Sequence, residues 1–171
     1  MVKFGEAVLD LVAGTGNLAA LLAAQGGEMW CLDFSAEMLA RARIKLPNAQ
    51  FALADARGRW PADFERRYHA IVSGYTFHHF PLDEKVSLAR RLLSDHLLPG
   101  GRLVIGDIAF SGAAAQEAYR LAMGDAWDQE YYWLADEALA ALHAAGLEAS
   151  WTKISSCAGV FTIENQSGAR L

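Results

Sequence analysis

Three features are scarce in this sequence, and each scarcity excludes a class of protein. Only two cysteines, Cys31 and Cys157, occur among 171 residues. A disulfide-stapled secreted domain is therefore excluded, and both cysteines are predicted to be reduced core residues. No apolar run approaches the roughly 18 residues that a membrane span requires, and the N-terminus lacks a basic-then-apolar leader. The sequence predicts a cytoplasmic protein with no membrane partner.

Positive charge is also in short supply. Lysine and arginine number 15 against 20 acidic residues, which gives a formal net charge of -5. Broad binding to a phosphate backbone needs a surplus of basic residues, so nucleic acid is not an expected partner. Hydrophobic residues, by contrast, make up 53% of the chain. We expect a single domain over residues 1–171 with a substantial core, whose oligomeric state the sequence does not determine.

Strand and helix patterns alternate along the chain. The predicted strands cover residues 7–12, 28–33, 50–54, 68–73 and 102–108, and the predicted helices 17–25, 35–46 and 83–96. This alternation predicts right-handed βαβ units, with helices on both faces of a parallel sheet. After a helix over 136–145, strands over 147–154 and 158–163 are joined by too short a link for a parallel crossover. The predicted fold is therefore α/β and doubly wound, a mostly parallel seven-stranded sheet with an antiparallel C-terminal β-hairpin.

A loop of small residues follows the first strand. It consists of Ala13, Gly14, Thr15 and Gly16, and an Ala/Leu-rich helix comes directly after it. A strand, a glycine loop and a helix N-terminus together expose backbone N–H groups beside a positive dipole end. The arrangement predicts a nucleotide-like ligand with anionic parts.

Three aspartates, Asp10, Asp33 and Asp55, each come at the end of an apolar run. In an open parallel sheet these strand ends line the ligand crevice. Asp33 follows Gly16 at close to the roughly 20-residue spacing of a ribose-binding carboxylate. A carboxylate at Asp10 repels a pyrophosphate but attracts an ammonium or sulfonium group. The pattern favours S-adenosylmethionine over NAD.

The segment Val8-Leu9-Asp10-Leu11-Val12-Ala13-Gly14-Thr15-Gly16-Asn17 resembles motif I of the class I S-adenosylmethionine-dependent methyltransferases. Residues 32–39, 54–56 and 98–103 resemble further motifs of this family, as does the antiparallel final hairpin. The resemblance covers nearly the whole chain. It implies a Rossmann-like fold, S-adenosylmethionine as cofactor, and methyl transfer to a small-molecule acceptor by in-line displacement.

The resemblance also implies roles for individual residues. Asp10 and residues 13–16 would hold the amino and carboxylate ends of the methionine part. At the adenosine end the implied residues are Asp33 for the ribose hydroxyls, Phe34 beside the adenine, and Asp55 with the Ala56 N–H on the adenine edge. In the family, the segment after the fourth strand lies beside the transferable methyl group, which assigns Gly74 and Tyr75 to the cofactor.

The same segment supplies the candidate catalytic residues, His78 and His79. Imidazole titrates near neutrality, so either ring could act as a base or position the acceptor. A base is needed only if the acceptor keeps its proton at neutral pH. The alternative is that one ring packs under the sheet edge and the other bonds backbone. Adjacent histidines are poor metal ligands without a nearby partner, for which Asp107 is a candidate, and we expect no metal.

The chain departs from the family pattern in two places. Val12 stands where the family usually has glycine, and a β-branched residue there should displace the loop or impose an extended backbone. The first strand also begins within about seven residues of Met1, so the usual N-terminal lid helices are not expected. Residues 108–134, where the family varies its substrate-binding insert, carry an aromatic cluster that either contacts the acceptor or packs as a small helical lid. Its members are Trp127, Tyr131, Tyr132 and Trp133.

Two other functions stay open. The same fold could serve as a non-catalytic S-adenosylmethionine-binding module. An NAD-dependent oxidoreductase is the second alternative, because Gly14-x-Gly16-x-x-Ala19 loosely fits the dinucleotide fingerprint. Asp10 and the missing third glycine oppose that assignment.

Overall fold

The computed structural model describes residues 3–166, and its apolar runs form the strands of one sheet. The strands are β1 (Ala7–Leu11), β2 (Glu28–Asp33), β3 (Gln50–Leu53), β4 (Tyr68–Gly74), β5 (Leu97–Phe110), β6 (Trp133–Leu134), β7 (Glu148–Lys153) and β8 (Ala158–Glu164). The helices are α1 (Asn17–Ala23), α2 (Ala36–Lys45), α3 (Leu82–Arg91), α4 (Ala113–Met123) and α5 (Ala135–Ala144).

The sheet has the strand order β3-β2-β1-β4-β5-β8-β7. Strands β1 to β5 pair in parallel, whereas β8 runs antiparallel to both β5 and β7. This confirms the predicted doubly wound sheet and its C-terminal hairpin. The chain winds outward in opposite directions from β1 and β4, so a crevice opens between their C-terminal ends.

Helices cover both faces, as predicted. On one face Ala19 of α1 packs in a cluster with Val8, Met29 and Cys31. On the other, α3 and α5 pack in a larger cluster built on the central strands, which includes Leu88, Leu142, Ile71, Leu103 and Phe161. Cys31 is a core residue, but Cys157 is only half-buried in the β7–β8 turn, so the core prediction is wrong for the second cysteine.

Several element boundaries differ from the predicted ones. Helix α1 ends at Ala23, and the predicted helix over 83–96 is α-helical only to Arg91, with a π-helical turn after it. Strand β5 begins at Leu97, five positions before its predicted start, because its N-terminal end pairs with Tyr68 across an irregularity in register. The structure adds α4 and the two-residue β6, which pairs with the end of β5.

Within residues 3–166, no helix combines the length and apolar character needed to cross a membrane.

Candidate functional site

The loop after β1 turns through backbone conformations that differ from expectation. Val12 has a φ of 61°, so this β-branched residue adopts the left-handed region and not the extended backbone, which was one of the two predicted outcomes. Such a conformation typically costs about 1–3 kcal/mol. Gly14 has a φ of 54° and open space where a Cβ would stand. At Gly16 an added Cβ would lie 3.0 Å from Ala42 Cβ, so this glycine lets the loop pack closely on α2.

Most of the loop's candidate N–H groups are used inside the protein. The Ala13 N–H donates to the Leu32 carbonyl at 3.0 Å, and the Gly16 N–H donates to the Ala13 carbonyl at 2.9 Å. The Gly14 N–H donates to Asp33 Oδ2 at 2.8 Å. Helix α1 has only seven residues. The expected anion site at this helix N-terminus is therefore largely satisfied by the chain itself.

Asp10 is buried at the end of β1 and lines the crevice. Its Oδ2 accepts a hydrogen bond from the Ala19 N–H at 3.1 Å. Burial raises the pKa of this carboxyl to about 7, with the Ala19 bond opposing the rise and the Asp33 charge adding to it. A positive group on a bound ligand would favour the ionised form.

The other two strand-end aspartates are already engaged. Asp33 is buried, and its two oxygens accept from the N–H groups of Gly14 and Ser35, both at 2.8 Å. Asp55 is half-exposed and forms a two-point ion pair with Arg57 through Nε at 3.2 Å and Nη2 at 3.0 Å. The Arg57 hydrogen bonds hold the pKa of Asp55 below its usual range. The sequence did not predict this partner.

A cleft of about 760 Å³ begins at the carboxyl ends of β1 and β4 and extends between α1 and the face of the sheet formed by β4, β5 and β8. Six predicted cofactor residues line it, namely Asp10, Ala13, Gly14, Thr15, Gly74 and Tyr75. The lining does not include Gly16, Asp33, Phe34, Asp55 or Ala56. Ala56 is buried, and its carbonyl accepts from Arg91. The predicted residues thus fall into a cleft group and a second group, which apart from Gly16 follows β2 and β3.

Exposed apolar side chains mark this second group. Phe34 directly follows Asp33 and is 71% exposed, and Met38 lies one helical turn further on with partial exposure. Leu53, the register neighbour of Asp33 on β3, is also exposed. An apolar surface of this kind beside a carboxylate suits the flat face of a heterocycle.

The turn after β4 brings His78 against the end of β5. Tyr75 adopts a φ of 53°, and its N–H donates to the Gly106 carbonyl at 2.9 Å. His78 is buried, with Nδ1 2.6 Å from Asp107 Oδ1 and its backbone N–H 2.8 Å from Oδ2. Asp107 also lines the cleft. The histidine ring therefore lies directly behind the cleft wall.

Asp107 is completely buried and accepts hydrogen bonds on both oxygens. Besides the two from His78, it accepts one from the Ile108 N–H at 2.9 Å and one from Trp133 Nε1 at 3.1 Å. Sequence reasoning identified Asp107 only as a candidate metal ligand. Asp107 could have been recognised as a fourth candidate site residue, because it stands near the end of the predicted fifth strand, as the other three aspartates stand at the ends of theirs. Within residues 3–166 no group of three metal-binding side chains forms.

His79 has a different environment. Its side chain is 54% exposed, and Nδ1 lies 3.3 Å from Glu130 Oε2 of the insert. The ring centroids of the two histidines are 4.1 Å apart. His78 thus has a fixed, buried partner, whereas His79 faces solvent and the insert.

The aromatic cluster of the insert divides into two parts. Trp127 and Tyr132 pack edge to face at 5.0 Å, against Phe110 and Tyr119. Trp133 enters the core, with its ring 4.5 Å from that of Phe161. The Tyr131 N–H donates to the His78 carbonyl at 2.9 Å, which ties the insert to the histidine turn. The contacts correspond to the packed-lid alternative.

The family is decided by comparison with known proteins. A model of the methyltransferase domain matches residues 8–101, more than half of the chain. The chain belongs to this methyltransferase family. Uncharacterized methyltransferases of Geobacillus kaustophilus and Bacillus cereus are each 33% identical to it, over 135 and 136 residues. These matches take in 79% of this chain but 60% of each relative, so the chain spans less than two thirds of their length.

Solved structures share the fold at lower identity. A DhpI complex with SAM and HEP superposes with a TM-score of 0.73 at 22% identity, covering 91% of this chain and 77% of DhpI. The magnesium protoporphyrin IX methyltransferase of Synechocystis, solved with SAH, gives 0.72 at 17%, with 94% and 74% covered. The [4+2]-cyclase SpnF gives 0.74 at 17%, with 95% and 76% covered. The predicted family and Rossmann-like fold are confirmed, and the family's cofactor is S-adenosylmethionine.

Proposed function

We propose that this domain transfers a methyl group from S-adenosylmethionine to a small-molecule acceptor. The observation that carries the proposal is the cleft lined by Asp10, Gly14 and Gly74, whose lining also includes Asp107, the buried partner of His78. The Synechocystis methyltransferase, whose name gives a porphyrin as its acceptor, supports a small-molecule acceptor for this fold.

The residues fit the cofactor in both halves of the site. Near Gly14 there is open space, and the buried Asp10 carboxyl beside it suits the ammonium of the methionine part. Asp33, with Phe34 exposed next to it, suits the ribose and adenine. A pyrophosphate would lack a hydrogen-bond donor here, since the Gly14 N–H that would bind it already donates to Asp33. This arrangement opposes the NAD alternative.

When bound, S-adenosylmethionine supplies a methyl group on a positively charged sulfur, which an acceptor atom takes by in-line displacement. The chain's own contribution is to position the acceptor and to accept its proton, where it has one. His78 is assigned the proton because Asp107 engages its Nδ1, which leaves Nε2 as the ring nitrogen that would accept it. His79, exposed beside Glu130, is assigned to positioning the acceptor.

The non-catalytic binding module is the second candidate. The comparison with SpnF supports this second candidate, because SpnF is named as a cyclase and superposes with a TM-score of 0.74. Fold similarity alone therefore does not establish methyl transfer.

The binding arm of the test is titration calorimetry with S-adenosylmethionine, S-adenosylhomocysteine and NAD. We expect the first two to bind and NAD not to bind. Asp33→Ala should weaken S-adenosylmethionine at least tenfold, because buried ribose hydroxyls lose their acceptor. Asp33→Asn keeps the side-chain volume and should also weaken S-adenosylmethionine binding. Asp63→Ala, at an exposed aspartate, is the control. Unchanged binding in both Asp33 variants would contradict the site.

The transfer arm uses S-adenosylmethionine carrying a labelled methyl group and the low-molecular-mass fraction of a cell extract. We expect label to move into one or a few extract compounds. His78→Ala should then slow transfer about 100-fold or more if a general base is required. An equal rate in His78→Ala and wild type would leave proximity as the source of catalysis. Binding without transfer to any fraction would favour the non-catalytic module.

A further inference from the structure

Lys85 is a buried cation on the inner side of α3. Only 1% of the residue is exposed, whereas lysine is rarely buried without a partner. Removing an ammonium from water is costly, so its surroundings must return most of that free energy. The proposed function so far gives this residue no role.

The contacts of Lys85 lead to His78. Its Nζ donates to the Tyr131 carbonyl and lies 4.3 Å from the centroid of the Trp133 ring, in a cation–π geometry. The indole N–H of Trp133 donates to Asp107, which also receives the His78 ring. A continuous chain therefore runs from the ammonium through Trp133 and Asp107 to the histidine.

We propose that Lys85 is a positioning residue for His78, whose buried ammonium balances the charge of Asp107. The balance lets the imidazole stay neutral, with its proton on Nδ1 and with Nε2 free to accept one. This inference rests on the proposed function, because a proton-accepting His78 is what gives the arrangement its catalytic use.

The hydrogen bonds fix the protonation pattern. Asp107 accepts four hydrogen bonds, two on each oxygen, which favours the ionised carboxylate. Nδ1, facing one of those oxygens at 2.6 Å, must then be the protonated ring nitrogen. Without the Lys85 ammonium nearby, the negative charge of the buried Asp107 would be balanced most directly by protonating His78. A protonated ring cannot accept a further proton.

The charged and titratable groups around His78 come from four elements. Asp107 faces it from β5, and His79 lies beside it in the same turn. Tyr132 of the insert has its ring centroid 6.3 Å away. Lys85 of α3 lies beyond Trp133. Burial lowers the pKa of Lys85 to about 8, and the Asp107 charge opposes that fall, as expected for a pair that interact.

The test is long-range proton–nitrogen correlation NMR on the ¹⁵N-labelled 171-residue chain, which reads each ring nitrogen without an acceptor. His78→Gln identifies the His78 signals. In wild type at pH 7, where Lys85 is still charged, we expect the proton on Nδ1. In Lys85→Met, which keeps an unbranched apolar stem, the His78 titration midpoint should rise by about one pH unit or more, a tenfold gain in proton affinity.

Leu88→Ala is the matched control, since Leu88 is also buried on α3 but carries no charge. It should lower stability and leave the His78 midpoint unchanged. If Lys85→Met does not fold, Trp133→Phe removes the indole donor to Asp107 and should move the midpoint in the same direction. A proton on Nε2 in wild type, or an unchanged midpoint in the variant, overturns the inference. S-adenosylmethionine calorimetry on the same samples reports separately on the proposed function.

Discussion

At the scale of single residues, Asp10 links stability to pH. Its pKa is about 7 in the folded protein against 3.8 for an unperturbed aspartate, so between these values the folded chain binds more protons than the unfolded one. The free energy of unfolding should therefore fall as pH rises through this window and level off above about pH 7. Asp10→Asn removes the titration. Relative to this variant, wild type should lose about 2–3 kcal/mol between pH 5 and 7.

Urea denaturation at pH 5, 6, 7 and 8 measures this difference. Asp63→Asn, at an exposed carboxyl, should run parallel to wild type. Parallel curves for Asp10→Asn and wild type would mean that burial does not control this carboxyl.

Residue identity selected the candidate site residues but not the contacts that each one makes. The glycine pattern treated Gly14 and Gly16 alike, yet one borders open space and the other packs on α2. Val12 was expected either to displace the loop or to be extended, and its backbone is left-handed. Such roles depend on neighbours from distant parts of the chain.

At the scale of elements, the C-terminal hairpin depends on a glycine contact. The Trp151 indole of β7 covers Gly159 of β8, and a Cβ there would lie 2.1 Å from Trp151 Nε1. Gly159→Ala should lower the free energy of unfolding by about 1–3 kcal/mol through overpacking. Thermal or urea unfolding measures the loss.

Gly106→Ala on β5 is the comparison, since nothing lies within 4 Å of its added Cβ. This second variant should be nearly neutral for stability. Equal losses for the two variants would show that the indole moves aside at no cost.

Elements with a clear period were predictable, and elements defined by pairing were not. The alternation of strands with helices predicted β1 to β4 and the hairpin. The two residues of β6 are too few to carry a pattern, and they form a strand only because the end of β5 lies beside them. The early start of β5 likewise requires Tyr68 as its neighbour.

At the scale of the whole molecule, cofactor binding should stabilise the fold by linkage. S-adenosylmethionine at 100 times its dissociation constant should add about 2.7 kcal/mol. For a chain of this size that is a rise of roughly 5–10 °C in Tm. S-adenosylhomocysteine should act similarly, and NAD should have no effect.

Asp33→Asn sharpens this measurement. At the same ligand concentration, a site that binds tenfold more weakly should stabilise the fold by only about 1.4 kcal/mol, which is roughly half the wild-type rise in Tm. Differential scanning calorimetry gives both values. A full shift in the variant, or a shift with NAD, would contradict the assignment of the strand ends to an adenosyl cofactor.

The doubly wound sheet, the hairpin, the family and the candidate strand-end carboxylates could all be predicted from the sequence, because they follow from local periodicity and from short contiguous motifs. Which side chains meet depends on the folded chain. Asp107 and His78 are brought together by parallel pairing of β4 and β5, and Lys85 reaches them through an insert that no local pattern positions. Burial then sets the charge state of Asp10, and burial is a property of the assembled fold rather than of any segment.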